Sequence, residues 1–301
     1  MNNLLKKQMK DLFADRVIFD MSAKEFTTFK TGGEVSAVVF PKTKNEIDFL
    51  FDLYKNGIPV RFLGCGSNVL VSDEGFNGII AITKHFSNIK RSNSLLEIAS
   101  GTKISDLLKF CIEHNIQGLE FLAGIPGTIG GCVIVNAGTN NTSAGQIVNS
   151  VLVLDKNGIW REKTKKEINW AYRHSDLKND VFFLASARVF AEKGRKEAIK
   201  QKINCAIKKR RRDQPLGYPS AGCVFKNPPG FFAGMLIEKA GLKGFRVGEA
   251  EISPKHANFI VNRGKARSLD IWKIIIHIQN IIKKTYNIEM ELEIEPIGRF
   301  T

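Results

Sequence analysis

Three short stretches carry side chains able to do chemistry. Tyr172-Arg173-His174-Ser175 sets a permanent positive charge beside a phenol and an imidazole. A guanidinium so placed can hold a carboxylate or stabilise negative charge developing on an enolate. As a lone tetrapeptide it reads first as an ordinary surface arginine. Cys223 lies in YPSAGCVFKNP, Tyr218–Pro228, with small residues before it and Lys226 and Asn227 just behind. A partly exposed thiol near positive charge becomes acidic or nucleophilic; the plain alternative is a packed thiol. Glu289, Glu291, Glu293 and Glu295 alternate with other residues. In a strand that period puts all four on one face. Such a row reads as a solvated edge, but a buried member would have a raised pKa and could act as an acid.

Two further stretches are rich in glycine, which serves where φ is positive or where a group must approach the backbone closely. Gly64-Cys65-Gly66-Ser67-Asn68 can bring backbone N–H groups up to phosphate oxygens. It is not a Rossmann fingerprint: the sixth position is Val69, and Val69-Leu70-Val71 reads as a strand rather than a helix. Gly118–Gly138, GLEFLAGIPGTIGGCVIVNAG, has glycines at 118, 124, 127, 130, 131 and 138 and one proline, Pro126. Glu120 is its only ionisable side chain besides Cys132. A buried loop around a large rigid group and a set of tight turns between core strands both fit this pattern.

The elements that must position these stretches alternate between strand and helix. An amphipathic N-terminal helix precedes a strand at Val35–Phe40 and a helix that Thr43 and Glu46 open as a capping box. Strands are expected at Val60–Leu63, Ile79–Ile82, Leu95–Ala99, Val148–Asp155 and Val181–Phe190. A helix over Ile104–His114 has Ser105 as its expected cap. Glu192–Arg212 reads as a charged helical boundary. Beyond it come helices at Phe231–Ala240 and Leu269–Tyr286, the latter capped by Ser268, and strands at Ala257–Val261 and Glu289–Ile294.

No apolar run reaches the ~18 residues of a membrane span, and the N-terminus does not read as a signal peptide. A cytoplasmic protein without a membrane partner is expected. The five cysteines show no C-x-x-C spacing, so reduced thiols are expected rather than a metal site or disulfides. A formal charge of +15 suits anionic ligands. Its one dense cluster, Lys208–Arg212, has no interleaved aromatics, which argues against nucleic acid.

Taken in order, these motifs resemble the UDP-N-acetylenolpyruvoylglucosamine reductase family over about Phe26 to Gly298. Thr28-Phe29-Lys30-Thr31-Gly32-Gly33 is similar to the family's T-x-[RK]-x-G-G entry, and LGCGSNVLV at Leu63–Val71 resembles its flavin loop. Gly118–Gly138 is similar to its G-L-E…N-A-G signature. Tyr172–Ser175, Arg211-Arg212 with Gln214-Pro215, Ala221–Pro228 and Ala233–Asn262 follow in family order.

The resemblance implies an α+β fold: a two-part FAD-binding module of the vanillyl-alcohol-oxidase type and a C-terminal α+β substrate domain. The implied divisions are 1–83, 84–192 and 193–301, with the last strand able to return toward the flavin. It implies non-covalent FAD, NADPH as reductant and UDP-N-acetylglucosamine-enolpyruvate as substrate, reduced to UDP-N-acetylmuramate for peptidoglycan synthesis. A monomer is expected. The implied catalytic residues are Arg173, Cys223 and Glu293, with Glu291 a rival to Glu293. FAD would rest on Gly64, Cys65, Gly66, Ser67, Asn68 and Val69, and on Ile125, Pro126, Gly127, Gly130, Gly131 and Gly138. Ile125–Gly127 and Gly130-Gly131 are expected to supply backbone donors. Tyr172, Arg211, Lys226 and Asn227 would meet the substrate.

The chain departs from the family pattern at several points. Cys65 stands at a usual glycine, where a positive φ would be strained. Cys223 replaces the proton-donating serine, and its lower solution pKa makes it the stronger acid. Met235 replaces a usual lysine, and Glu295 a usual arginine. Thr139-Asn140-Asn141 lacks the family's A-Y-G, resembling the type without a tyrosine loop. Two other readings are a related flavin oxidase and a nucleic-acid-binding protein centred on Lys208–Arg212. The oxidase is disfavoured because the Gly64–Asn68 loop has no histidine for covalent flavin attachment.

Overall fold

The computed structural model describes residues 1–139 and 142–300. Its chain divides into two compact units: Met1–Ile18, Ala37–Cys65 and Gly78–Lys209, and Phe19–Ser36, Gly66–Asn77 and Arg210–Thr301.

In the first unit, an antiparallel sheet has the strand order Trp160–Thr164, Val148–Asp155, Val181–Phe190, Leu95–Ala99, Ile89–Ser92. Val181–Phe190 is central and is buried along most of its length, which explains its nearly unbroken apolar sequence. The helix Ile104–Glu113 buries Ile104, Leu107, Leu108 and Cys111 in the same core as Leu96, Ile98 and Val189. These helix positions recur at i, i+3, i+4 and i+7, one face of an α-helix. Elsewhere in this unit, the parallel pair places Val60–Leu63 opposite Ile79–Ile82. The helix Lys44–Lys55 opens with the expected capping box. Glu46 serves that box and also binds Arg16 at 2.6 Å.

The second unit has a small antiparallel sheet of Arg246–Val247, Ala250–Ile252 and Ile260–Asn262. The helix Ser268–Tyr286 buries Ile271, Ile274, Ile275, Ile278 and Ile282 in this unit's core. A parallel pair sets Glu295 opposite Val69 and Ile297 opposite Val71.

Three local expectations are corrected. Glu289–Ile294 does not form the final strand; Leu292 makes a single bridge to Phe225, and the strand is Glu295–Ile297. The alternation in that segment is real in burial, because Met290 and Ile294 are buried. The glutamates do not share one strand face: Glu289 pairs with Lys283 at 3.0 Å and Glu291 with Lys226 at 3.1 Å. Ser105 is not a cap; Lys103 holds that position and Ser105 Oγ donates to Asp106. Ser268 is likewise inside its helix, with Arg267 at the cap. Its hydroxyl donates to the Val71 carbonyl, while the Asp73 carboxylate accepts the N–H groups of Ser268 and Leu269 at 2.9 and 2.8 Å. A carboxylate from a distant loop thus does the capping.

No helix among the described residues is long and apolar enough to cross a membrane.

Candidate active site

In the first unit, the two glycine-rich stretches meet. Gly64 follows the strand Val60–Leu63, and a Cβ on it would stand 2.3 Å from Thr128 Oγ1. Only a residue without Cβ permits this approach. Thr128 caps the helix Ile129–Ile134, its Oγ1 accepting the Gly131 N–H at 3.4 Å. That helix lies inside a stretch that reads as loop. Gly130 donates to the Ser100 carbonyl at 2.8 Å, and a Cβ there would lie 2.7 Å from Ser100 Cβ. Gly130 is therefore a packing glycine. On Gly131 a Cβ would meet nothing nearer than Thr128 Oγ1 at 3.8 Å, so that face is open.

The expected donor set changes accordingly. Ile125 donates to the Leu122 carbonyl at 3.0 Å, Gly130 and Gly131 donate as above, and Pro126 has no N–H. Gly127 makes no such bond within the described residues, and neither does Thr128, which the sequence reading passed over. The Cys65 N–H is likewise unused. Ser100, also passed over, buries its hydroxyl oxygen without a hydrogen-bond partner among the described residues. Strain at Cys65 is corrected too: its φ is not positive, whereas Gly66 has φ +62°. Burial raises the Cys65 thiol pKa, with nearby Lys103 opposing this and Asp106 adding to it. Unused backbone donors, an orphaned hydroxyl and an open glycine face fit the diphosphate and flat ring of a flavin nucleotide.

Arg173 sits at the tip of a hairpin in the same unit, between the paired strands Trp170–Ala171 and His174–Ser175. Its φ is +52°, an uncommon conformation for a side chain of this size. Its Nη1 donates to the Gly138 carbonyl at 3.0 Å. Asn136 Nδ2 donates to the Ala171 carbonyl at 2.7 Å, and Ser175 Oγ donates to the Ile134 carbonyl at 2.7 Å. The hairpin is thereby fastened to the end of the glycine-rich stretch, a link that sequence order did not reveal. Tyr172 is exposed, with the Arg173 guanidinium 5.5 Å from its ring centre. Of the missing A-Y-G positions, Asn140 and Asn141 lie outside the described residues.

In the second unit, Gly66 lies against the Thr28 segment. Its carbonyl accepts the Thr28 N–H at 3.0 Å, and a Cβ on it would be 2.1 Å from the Phe26 carbonyl oxygen. The entry motif thus seats the end of the flavin-type loop. Asn68 ties that loop to the glutamate segment: Nδ2 donates to the Glu293 carbonyl at 3.1 Å, and the Asn68 carbonyl accepts from Glu295 N–H at 2.9 Å. Ser67 and Val69 flank Asn68, with Val69 entering the parallel pair.

The Cys223 and Glu293 segments are adjacent in this unit. Glu293 N–H donates to the Val224 carbonyl at 2.8 Å, and Lys226 N–H donates to the Glu291 carbonyl at 2.9 Å. Asn258, buried and unassigned from sequence, braces the turn from the other side. It accepts the Phe225 N–H at 3.0 Å through Oδ1 and donates to the Phe225 carbonyl at 2.8 Å through Nδ2. Cys223 and Glu293 are half-buried, whereas the Glu291 side chain is 75% exposed. Lys226 is half-buried in its pair with Glu291. Asn227 Oδ1 accepts the N–H of Ala233 at 2.9 Å. Arg211 is exposed near the end of the helix Lys196–Asp213, and its carbonyl accepts Lys255 Nζ at 2.6 Å.

The family model "FAD binding domain" matches residues 35–162, which contain the glycine cradle. With the α+β fold and the cradle, that match defines an FAD-dependent oxidoreductase. A second model, "UDP-N-acetylenolpyruvoylglucosamine reductase, C-terminal domain", matches residues 214–297. The UDP-N-acetylenolpyruvoylglucosamine reductase of Caldicellulosiruptor saccharolyticus is 43% identical over 93% of this chain and 92% of its own. That of Caldanaerobacter subterraneus subsp. tengcongensis is 34% identical over 99% of both. The crystal structure of the Thermus caldophilus reductase superposes with a TM-score of 0.80 at 32% identity, covering 92% of this chain and 98% of that one. The chain belongs to the UDP-N-acetylenolpyruvoylglucosamine reductase family.

Proposed function

We propose that the chain uses NADPH to reduce the enolpyruvyl group of UDP-N-acetylglucosamine-enolpyruvate, giving UDP-N-acetylmuramate for peptidoglycan synthesis. What carries the reading is a 43% identity to such a reductase over 93% of the chain, together with family models that span the glycine cradle and the Cys223 and Glu293 segments. In the first unit, the N–H groups of Cys65, Gly127 and Thr128 and the open face of Gly131 would hold FAD. Gly64 and Gly130 shape the backbone around them. Ile125, Pro126 and Gly138 would border this cradle, and Gly66, Ser67, Asn68 and Val69 would continue the loop in the second unit. When bound, FAD supplies a two-electron carrier between NADPH and the substrate carbon.

Hydride arriving at C3 of the enolpyruvyl group leaves negative charge at C2, shared with the carboxylate. Arg173 is the positive partner for that charge. Cys223 donates the proton that C2 then takes, and a protonated Glu293 supports the enolate. Glu293 is half-buried, whereas Glu291 points to solvent in its pair with Lys226, so Glu293 is the better placed of the two. Tyr172, Arg211, Lys226 and Asn227 would bind the sugar nucleotide, the cations facing its diphosphate. The chain would act as a cytoplasmic monomer. Residues 1–83 and 84–192 would form the flavin module and 193–301 the substrate domain.

The purified protein is expected to show the visible bands of bound flavin and, with oxygen excluded, to oxidise NADPH beyond one equivalent per flavin only when the enolpyruvyl substrate is present. Colourless protein that gains no flavin bands on adding FAD would sink the reading. Salt-sensitive retention on DNA by such a preparation would favour the basic cluster Lys208–Arg212 as a nucleic-acid site.

A further inference from the structure

We infer that Asn136 is a positioning residue for Arg173, setting where the guanidinium stands when charge develops on the substrate. The inference rests on the proposed role of Arg173.

Asn136 is buried, 5% exposed, and adopts φ +47°, a conformation that asparagine and aspartate reach more readily than other side chains. Its amide group reaches two separate segments. Oδ1 accepts the Gly145 N–H at 2.9 Å, and Nδ2 donates to the Ala171 carbonyl at 2.7 Å. Ala171 opens the two-residue turn whose second residue is Arg173. The guanidinium returns to the same loop at the Gly138 carbonyl, 3.0 Å away. Asn136 and Arg173 therefore cross-tie one loop and one hairpin, and the arginine backbone is held in an unfavourable conformation between them. The asparagine donor fixes the base of the turn; the arginine fixes its tip.

A catalytic cation works by standing where charge appears, and a displacement of about 1 Å can lower a rate about a hundredfold. Asn136→Asp isolates the donor. The replacement is nearly isosteric, tolerates the same φ, and still accepts from Gly145. Toward Ala171 it offers an oxygen to an oxygen, so the tie is lost and becomes repulsive.

The test is a double-mutant cycle with Asn136→Asp, Arg173→Ala and the pair, each loaded with FAD. Flavin content, thermal midpoint of the apoprotein and reduction of the flavin by NADPH report folding. Substrate affinity, read from the perturbed flavin absorbance, and the rate at which substrate reoxidises the flavin report positioning. Asn136→Asp is expected to slow reoxidation about tenfold to a hundredfold, with NADPH-driven reduction and substrate affinity within about twofold of the parent. In the Arg173→Ala background the same change should add nothing. Independent, multiplying effects of the two changes, or an Asn136→Asp enzyme that reoxidises at the parent rate, overturn the inference. If Arg173→Ala alone leaves reoxidation unchanged, the role of Arg173 falls and the inference falls with it. An apoprotein that loses its thermal transition in Asn136→Asp assigns the residue to folding and overturns the inference too.

Discussion

Cys223, the proposed proton donor, lies on a segment held by hydrogen bonds to Asn258 and to the Glu293 segment. A rigid donor can deliver a proton only if its own group ionises reversibly, which a thiol and, less acidically, an alcohol both do. Cys223→Ser is therefore expected to retain reoxidation within about tenfold of the parent, and Cys223→Ala to lose about a hundredfold or more. NADPH-driven flavin reduction should be normal in both. Stopped-flow measurement of the two half-reactions checks this, and equal losses in both would assign Cys223 to packing. At this scale the sequence was informative about residue type and silent about bracing. Asn136 and Asn258 were not singled out, because what they brace is main chain elsewhere: Gly145 and Ala171 for Asn136, Phe225 for Asn258. Cys65 looked strained because its neighbour's glycine pattern suggested a positive φ that only Gly66 adopts.

At the scale of elements, helix starts are fixed by carboxylates. The helix Ser268–Tyr286 begins on the Asp73 carboxylate, which accepts two of its otherwise unpaired N–H groups. Asp73→Ala should destabilise the fold by about 1–2 kcal/mol, seen as a lower thermal midpoint; an unchanged midpoint would show that water replaces the carboxylate. The helix Lys44–Lys55 adds a pH dependence. Burial raises the Glu46 pKa, but hydrogen bonds from Arg16 and from the Lys42 and Thr43 N–H groups outweigh it, leaving the carboxyl below its ordinary value. A depressed folded pKa means the stabilisation is fully present above the unfolded-chain value, ~4.3. It is lost as pH falls through the lower folded value. The parent midpoint should therefore fall more steeply in that acid range than that of Glu46→Gln, and the two curves should run parallel near neutrality. Parallel curves throughout would remove Glu46 from the acid transition. The capping box at Thr43 was legible because its partners are three residues apart. The Asp73 cap was not, because it joins segments nearly two hundred positions apart. The glutamate strand was misread because alternation reports burial of Met290 and Ile294, not ladder pairing.

Across the whole molecule, a formal charge of +15 accompanies a reaction whose partners all carry phosphates. Long-range attraction raises encounter rates and is screened beyond about 10 Å at 0.1 M salt. kcat/KM for the sugar nucleotide should fall as ionic strength rises while kcat stays nearly constant; a kcat/KM independent of salt would make the charge irrelevant to capture. The order of the motifs along the chain was enough to identify the family. Their meeting in space was not, since Gly64 touches Thr128 only once the fold brings the two glycine stretches together.

The most direct test of that reading is a single turnover. The FAD-loaded protein is reduced without oxygen by one equivalent of NADPH and then mixed with UDP-N-acetylglucosamine-enolpyruvate. The visible flavin band should return in one phase, with UDP-N-acetylmuramate formed in an amount equal to the flavin. A reduced flavin that persists in the presence of this substrate, yet reoxidises on admitting oxygen, would contradict the account.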